Sequence, residues 1–280
     1  MRHHSVTGGG GTRLNVIETG DPGGLPILFV HGWSQSHAVW QRQLLAPALQ
    51  RFRLVAFDLR GHGDSDKPHS GYDDGARWAA DVTAVVDALA LARPVVVGWS
   101  YGGYVVCDYL REHGDGGLGG LVFVAAATDM GAGAGRPLED GWIGILPDKT
   151  GAPNVFSPGA EEAAIAMRRF VQRCFAAPLD HLAELEWLGI ALCVPPRVRE
   201  ALFRRRLAND DVLAAIRVPT LIVHGDADRF VDVDGSRHLD ELVTHAVLSI
   251  YPGIGHTPFW EATERFDREL AAFGGALAAA

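Results

Sequence analysis

Over the first 125 residues, short runs of Val, Ile and Leu alternate with longer segments of helical period. That alternation is the signature of a parallel sheet covered by helices on both faces, because strands buried on both sides read as continuous apolar runs. Strands are expected at residues 27–30, 54–57, 95–97 and 121–125, and helices at 37–50, 75–91 and 101–113. The third helix opens at a glycine-flanked turn and ends near the glycines at 114–117. After Ala127 the texture shifts to Gly, Pro and Ala with scattered aromatics, and the strand rhythm returns only at 220–224. The reading is therefore α/β, with one core built from residues 1–128 and 217–280 and an inserted helical cap at 129–216. Within the insertion, segments 160–175, 179–192 and 196–208 carry helical spacing, with Trp142, Phe156, Phe170, Trp187 and Leu188 as apolar positions. A strand at 246–251 and an amphipathic helix at 261–273 close the chain, and no internal repeat is visible.

Composition narrows the classes of function. With 280 residues, 48% of them hydrophobic, the chain is long enough for one large core. A formal net charge of -9 offers no broad positive field for phosphate backbones or anionic lipid heads, which argues against nucleic acid as a partner. Cys107, Cys174 and Cys193 contain no C-x-x-C pair, so neither a disulfide framework nor a thiolate zinc site is expected; all three read as buried small apolar residues. The amino terminus lacks the apolar stretch of a signal peptide, and nowhere do about 18 apolar residues run together. A cytoplasmic protein without membrane partners is the expectation; oligomeric state is not readable.

Candidate chemistry enters at Gly98-Trp99-Ser100-Tyr101-Gly102, a G-x-S-x-G pentapeptide between an apolar run and a helical segment. On a sharp strand-to-helix turn the serine hydroxyl stands clear of the backbone, with the helix amino terminus beneath it. A serine hydroxyl is a poor nucleophile until a base takes its proton, and the base needs a third group to fix its tautomer. Both partners have candidates downstream at strand ends, where such sheets keep their sites. Aspartates 226, 228, 232 and 234 follow strand 220–224, and His256 follows strand 246–251 and a glycine-rich turn. His31, His62 and His224 read as structural hydrogen bonders beside the site. The aspartate group lacks EF-hand spacing, and Gly131, Gly133 and Gly135 lack the rest of a dinucleotide unit, so neither a metal nor a nucleotide cofactor is expected.

Taken with Val30-His31-Gly32-Trp33 after the first run and Asp58-Leu59-Arg60-Gly61-His62-Gly63-Asp64-Ser65 after the second, this pattern resembles the α/β-hydrolase superfamily over nearly the whole chain. It is most similar to the esterase and cofactor-free haloperoxidase branch. The resemblance implies a Ser100, Asp228, His256 triad in the family's chain order, Asp228 being picked out by the G-x-x-D spacing. It also implies an oxyanion hole from the backbone N–H groups of Trp33 and Tyr101. The substrate pocket is expected around Trp33, Trp99, Phe230, Val231, Phe259 and His31. The implied activity is hydrolysis of a small to medium, largely apolar carboxylic ester through an acyl-enzyme, without cofactor. Perhydrolysis of the cofactor-free haloperoxidase type, lactone or amide hydrolysis, and low-turnover small-molecule reception are the alternatives. Epoxide hydrolase and haloalkane dehalogenase chemistry is set aside, because those relatives carry aspartate where Ser100 stands.

Overall fold

The computed structural model describes residues 1–129, 144–205 and 207–279. Its strands are β1 (Arg2–Thr7), β2 (Arg13–Gly20), β3 (Pro26–Val30), β4 (Arg53–Phe57), β5 (Val95–Trp99), β6 (Gly120–Val124), β7 (Thr220–Gly225) and β8 (Val247–Tyr251). They form one sheet in the order β1-β2-β4-β3-β5-β6-β7-β8. The pairs β1–β2 and β2–β4 are antiparallel and the rest are parallel. Strands β3, β5 and β6 are buried at every position, as their unbroken apolar sequences require.

Around the sheet lie α1 (Gln41–Leu45), α2 (Gly75–Ala88), α3 (Tyr101–His113), α4 (Ala160–Arg173), α5 (His181–Leu192), α6 (Pro196–Phe203), α7 (Asp210–Ala214), α8 (Val233–Leu242), α9 (Pro258–Glu261) and α10 (Thr263–Ala278). Helices α2, α5 and α8 open on aspartates, Asp74, Asp180 and Asp232, whose carboxylates accept first-turn N–H groups. Helices α4 to α7 occupy the chain between β6 and β7.

Several expectations need correction. The amino-terminal pair β1 and β2 was not foreseen, since β1 buries Val6 alone and carries no apolar run. A buried carboxylate helps to hold that edge instead: Glu18 of β2 accepts from Arg2 and Arg53 and pairs with His4. Burial by itself would raise the Glu18 carboxyl, but the bonds to Arg53 and His4 hold it below its usual range. The helix expected at 37–50 is broken into a 3-10 turn at His37–Trp40, α1, and a second 3-10 turn at Pro47–Leu49. Pro47 supplies no N–H and drives Ala46 into extended backbone, ending α1 there. The helix expected at 196–208 stops at Phe203, and the one expected at 261–273 is divided into α9 and α10. Cys107 and Cys174 are buried as anticipated, whereas Cys193 is exposed at the end of α5. Trp142 and the glycines 131, 133 and 135 lie outside the described residues.

A buried ion pair ties the turn after β4 to α2. Arg60 clamps Asp81 through two bonds of 2.7 Å, with both side chains fully excluded from water. The same carboxylate accepts the Gly9 N–H at 2.8 Å. Removing one partner strands the other charge in a dry interior, at a cost of about 3–5 kcal/mol. Asp81→Ala should therefore lower the unfolding free energy by that amount, read as a lower urea midpoint with the slope of the transition unchanged.

Candidate active site

The turn between β5 and α3 is set by Ser100, whose backbone sits at φ 52° and ψ -118°. Such a conformation costs a non-glycine residue about 1–3 kcal/mol and persists only where the surroundings enforce it. Here the Ser100 N–H donates to the Val124 carbonyl at 3.1 Å, while the Ser100 carbonyl accepts from Gly103 at 2.8 Å and Ala127 at 3.0 Å. The flanking glycines are steric requirements of the same turn. A Cβ at Gly102 would stand 2.5 Å from the Val30 carbonyl oxygen, and one at Gly98 would stand 2.9 Å from a Val106 methyl.

From the far side of the sheet, β7 and β8 deliver Asp228 and His256 to the same rim. His256 Nδ1 lies 2.6 Å from Asp228 Oδ2. The histidine is held by its own main chain, which donates to the Cys174 carbonyl at 2.9 Å and accepts the Trp99 indole N–H at 2.8 Å. The rings of Trp99 and Phe230 flank the imidazole, with centroids 5.5 Å and 5.6 Å away. Burial by itself would raise the Asp228 carboxyl. The charges and hydrogen bonds of His256 and His224 outweigh it and hold Asp228 well below the usual carboxylate range. Main-chain N–H groups of Phe230 and Val231 add bonds of 2.7 Å and 3.1 Å to the other oxygen.

Ser100 and His256 both line a narrow cavity of about 40 Å³. Trp33, Tyr101, Tyr104, Ala127, Phe230 and Val231 complete the wall on the sheet side. Phe170 of α4 and Leu202 and Phe203 of α6 line it from the inserted helices. The phenol of Tyr104 donates to the Asp129 carbonyl and that of Tyr101 accepts from Arg205, so both hydroxyls are engaged within the protein.

A family model for the alpha/beta hydrolase fold matches residues 26–263. The chain belongs to the α/β-hydrolase family. This hydrolase is 32% identical over 265 residues to a non-heme haloperoxidase from Rhodococcus erythropolis, an alignment spanning 90% of this chain and 92% of that one. It is 27% identical over 262 residues to a bifunctional esterase/perhydrolase from Acinetobacter calcoaceticus, covering 88% of this chain and 90% of that one. The crystal structure of an esterase from a Rhodococcus species superposes with a TM-score of 0.90 at 37% identity, covering 99% of this chain and 100% of that one.

The hydrolase brings Ser100, His256, Trp33, Tyr101, Phe230 and Val231 together on one cavity, with Asp228 behind His256. Trp99, Phe259 and His31, expected in the pocket, stand behind its wall. Trp99 and Phe259 pack edge to face, 5.1 Å apart, in a buried cluster with Trp40 and Trp187. Tyr104, Ala127, Leu202 and Phe203 were missed; Tyr104 alone had a sequence signal, lying one helical turn after Tyr101 on the same face of α3. Among the described residues no group of three or more His, Cys, Asp or Glu could hold a metal ion, and no helix is long and apolar enough to cross a membrane.

The loop carrying Trp33 is stapled to the turn after β4 by buried histidines. His31 Nδ1 donates to the Gly32 carbonyl and its Nε2 accepts the Leu59 N–H at 3.0 Å. His62 Nδ1 donates to the Arg60 carbonyl and its Nε2 accepts the Ser34 N–H at 3.3 Å. Burial pushes the two rings down to about 4 and about 3, so both stay neutral and able to accept. Asp58 completes the staple, taking the His37 N–H at 2.7 Å, its ring at 2.8 Å, Asn15 at 2.9 Å and the Asp64 N–H at 2.9 Å.

Burial opposes ionisation of Asp58, yet the bond and charge of His37 prevail and lower its pKa. A depressed folded pKa contributes stability that is present above the unfolded carboxylate value and is lost as pH falls through the folded one. Asp58→Asn should accordingly destabilise the protein by about 1–3 kcal/mol at neutral pH. In urea titrations its deficit against wild type should shrink below about pH 4.

Proposed function

We propose that this hydrolase cleaves small to medium, largely apolar carboxylic esters through an acyl-enzyme on Ser100. The observation that carries this reading is the presence of Ser100 and His256 on the wall of one cavity, with Asp228 2.6 Å behind the imidazole. Nδ1 donates to the carboxylate, leaving Nε2 to accept the serine proton. The hydroxyl oxygen attacks the ester carbonyl, and the imidazolium returns its proton to the departing alcohol. Water, deprotonated by the same Nε2, then attacks the acyl-enzyme and frees the acid and Ser100.

The alkoxide that forms in each half would rest on the backbone N–H groups of Trp33 and Tyr101. Tyr101 is the first residue of α3, so its N–H has no acceptor within the helix, and the helix dipole favours negative charge there. Two fixed donors need no reorganisation as charge develops, and losing one such donor costs about 10²- to 10³-fold in rate. Residues 129–216 act as the cap, contributing Phe170, Leu202 and Phe203 to the roof. None of the described lining residues carries a permanent charge, and the aromatic walls favour a neutral acyl or alcohol group.

Peroxide in place of water would yield a peracid from the same acyl-enzyme. The similarity to proteins called non-heme haloperoxidase and bifunctional esterase/perhydrolase favours testing it. Turnover of phenyl acetate with and without hydrogen peroxide, followed by peracid trapping, separates the two outcomes.

Ser100→Ala should lose about 10⁶-fold in kcat toward p-nitrophenyl esters, and Asp228→Asn about 10⁴-fold. Wild type should acquire a fluorophosphonate adduct on Ser100 by mass spectrometry, whereas near-wild-type turnover by Ser100→Ala would reject the assignment. Because the base acts only when neutral, kcat/KM should fall on the acid side of its pH profile. Asp228, held below the usual carboxylate range, stays ionised throughout that limb. Phe203→Ala should open the roof and raise kcat/KM for a hexanoyl ester relative to acetate by about ten-fold, read from an acyl-length series.

A further inference from the structure

The Asp228 carboxylate carries more donors than orienting His256 requires. Oδ2 receives His256 Nδ1 at 2.6 Å and also His224 Nε2 at 3.0 Å. His224 stands near the end of β7, four positions before Asp228, and its side chain is fully buried. Its Nε2 also lies 3.1 Å from the Val231 carbonyl. A carbonyl only accepts, so Nε2 carries the hydrogen and donates to both oxygens. The other ring nitrogen lies 2.7 Å from the hydroxyl of Ser236, a buried residue of α8. A continuous chain of hydrogen bonds, Ser236 to His224 to Asp228 to His256, thus runs from α8 to the cavity.

We propose that His224, anchored by Ser236, is a positioning residue that acts through Asp228, locking the carboxylate's rotation and setting how strongly it supports the charged form of His256. The inference rests on the proposed ester hydrolysis at Ser100. With Phe230 and Val231 saturating Oδ1 and the two histidines sharing Oδ2, the carboxylate has no alternative rotamer that keeps its bonds. The His224 donor also draws negative charge away from the oxygen facing His256, which weakens stabilisation of the imidazolium. Without that donor Asp228 would be free to turn, slowing the reaction, and its full charge would fall on His256, favouring the charged form of the base. Other groups near the imidazole stay constant in such a variant. These are Cys174, whose carbonyl accepts the His256 N–H, and Glu261 of α9, bound to Gly255 and Thr257 on either side of His256.

The test is the pH dependence of kcat and KM for p-nitrophenyl acetate, from about pH 5 to about pH 9, in the full-length protein. His224→Leu should lower kcat about ten-fold or more with KM nearly unchanged, and move the acid limb to higher pH by about half a unit. His224→Gln, which keeps an N–H within reach of Oδ2, should recover most of both effects. A His224→Leu protein with intact near-ultraviolet circular dichroism and the wild-type kcat and limb would overturn the proposal. If His224→Leu does not fold, Ser236→Ala replaces it; a limb shift in the same direction supports the proposal and an unchanged profile overturns it. Wild type that neither hydrolyses esters nor takes a fluorophosphonate on Ser100 would sink the underlying reading as well. Active wild type with unaltered variants sinks only the role of His224.

Discussion

At residue 100 the main chain passes through a left-handed turn that a serine adopts only under compulsion, and the site is organised around the space that turn requires. Three main-chain bonds, to Val124, Gly103 and Ala127, supply the compulsion. Two come from the end of β6 and the residues after it, so the elbow is built by the neighbouring strand as much as by its own. The loop after β3 runs equally close: a Cβ at Gly32 would meet the Ser100 Cβ at 3.0 Å and the Trp99 ring at 3.1 Å. The glycines at 32, 98 and 102 are thus consequences of one steric condition.

The second constraint is the ionised carboxylate in the interior. A buried, unpartnered carboxylate would protonate, and the histidine beside it would lose both orientation and charge stabilisation. Asp228 avoids this because two ring N–H groups and two main-chain N–H groups converge on it. Asp58 answers the same problem in the neighbouring turn with four donors of its own. These aspartates occupy equivalent places at the ends of parallel strands, one behind the proposed base and one behind the proposed oxyanion loop. The charges of the site are thus compensated locally, and satisfied buried polar networks favour a single arrangement.

How much of this could be read from the residues follows from which forces leave a linear trace. The parallel strands and α3 were legible because burial on both faces demands unbroken apolar runs, and the elbow because its steric condition fixes glycines at set spacing. Asp228 and His256 were legible through strand-end placement and spacing. Strands β1 and β2 were not, since an edge held by Glu18, Arg2, His4 and Arg53 has the composition of a loop. Trp99 and Phe259 were misplaced because an aromatic beside a nucleophile looks alike whether its ring faces the ligand or the core. Only the fold reveals that Trp99 turns inward, its indole N–H spent on the His256 carbonyl. Leu202 and Phe203 reach the cavity from α6, whose placement depends on long-range packing with no local signal.

The way the inserted helices are fastened bears on how substrate would be admitted. Arg199 of α6 is buried with no carboxylate partner among the described residues; burial lowers its pKa to about 10, and its guanidinium donates to the carbonyls of Val155 and Ala191. The Arg199 carbonyl in turn accepts the Trp33 indole N–H at 3.3 Å. A residue beyond α6, Arg205, grips Asp108 of α3 through two bonds of 2.7 Å and 2.8 Å while donating to the Tyr101 phenol. The two residues whose main chains are proposed to receive the oxyanion are therefore the two whose side chains bond to Arg199 within α6 and to Arg205 just beyond it. If those N–H groups receive the oxyanion as proposed, displacing the segment to admit a larger ester would pull on both rings and so link access to transition-state stabilisation. A wider entrance without loss of rate requires change at Phe203 or Leu202, which line the cavity yet carry neither of these hydrogen bonds.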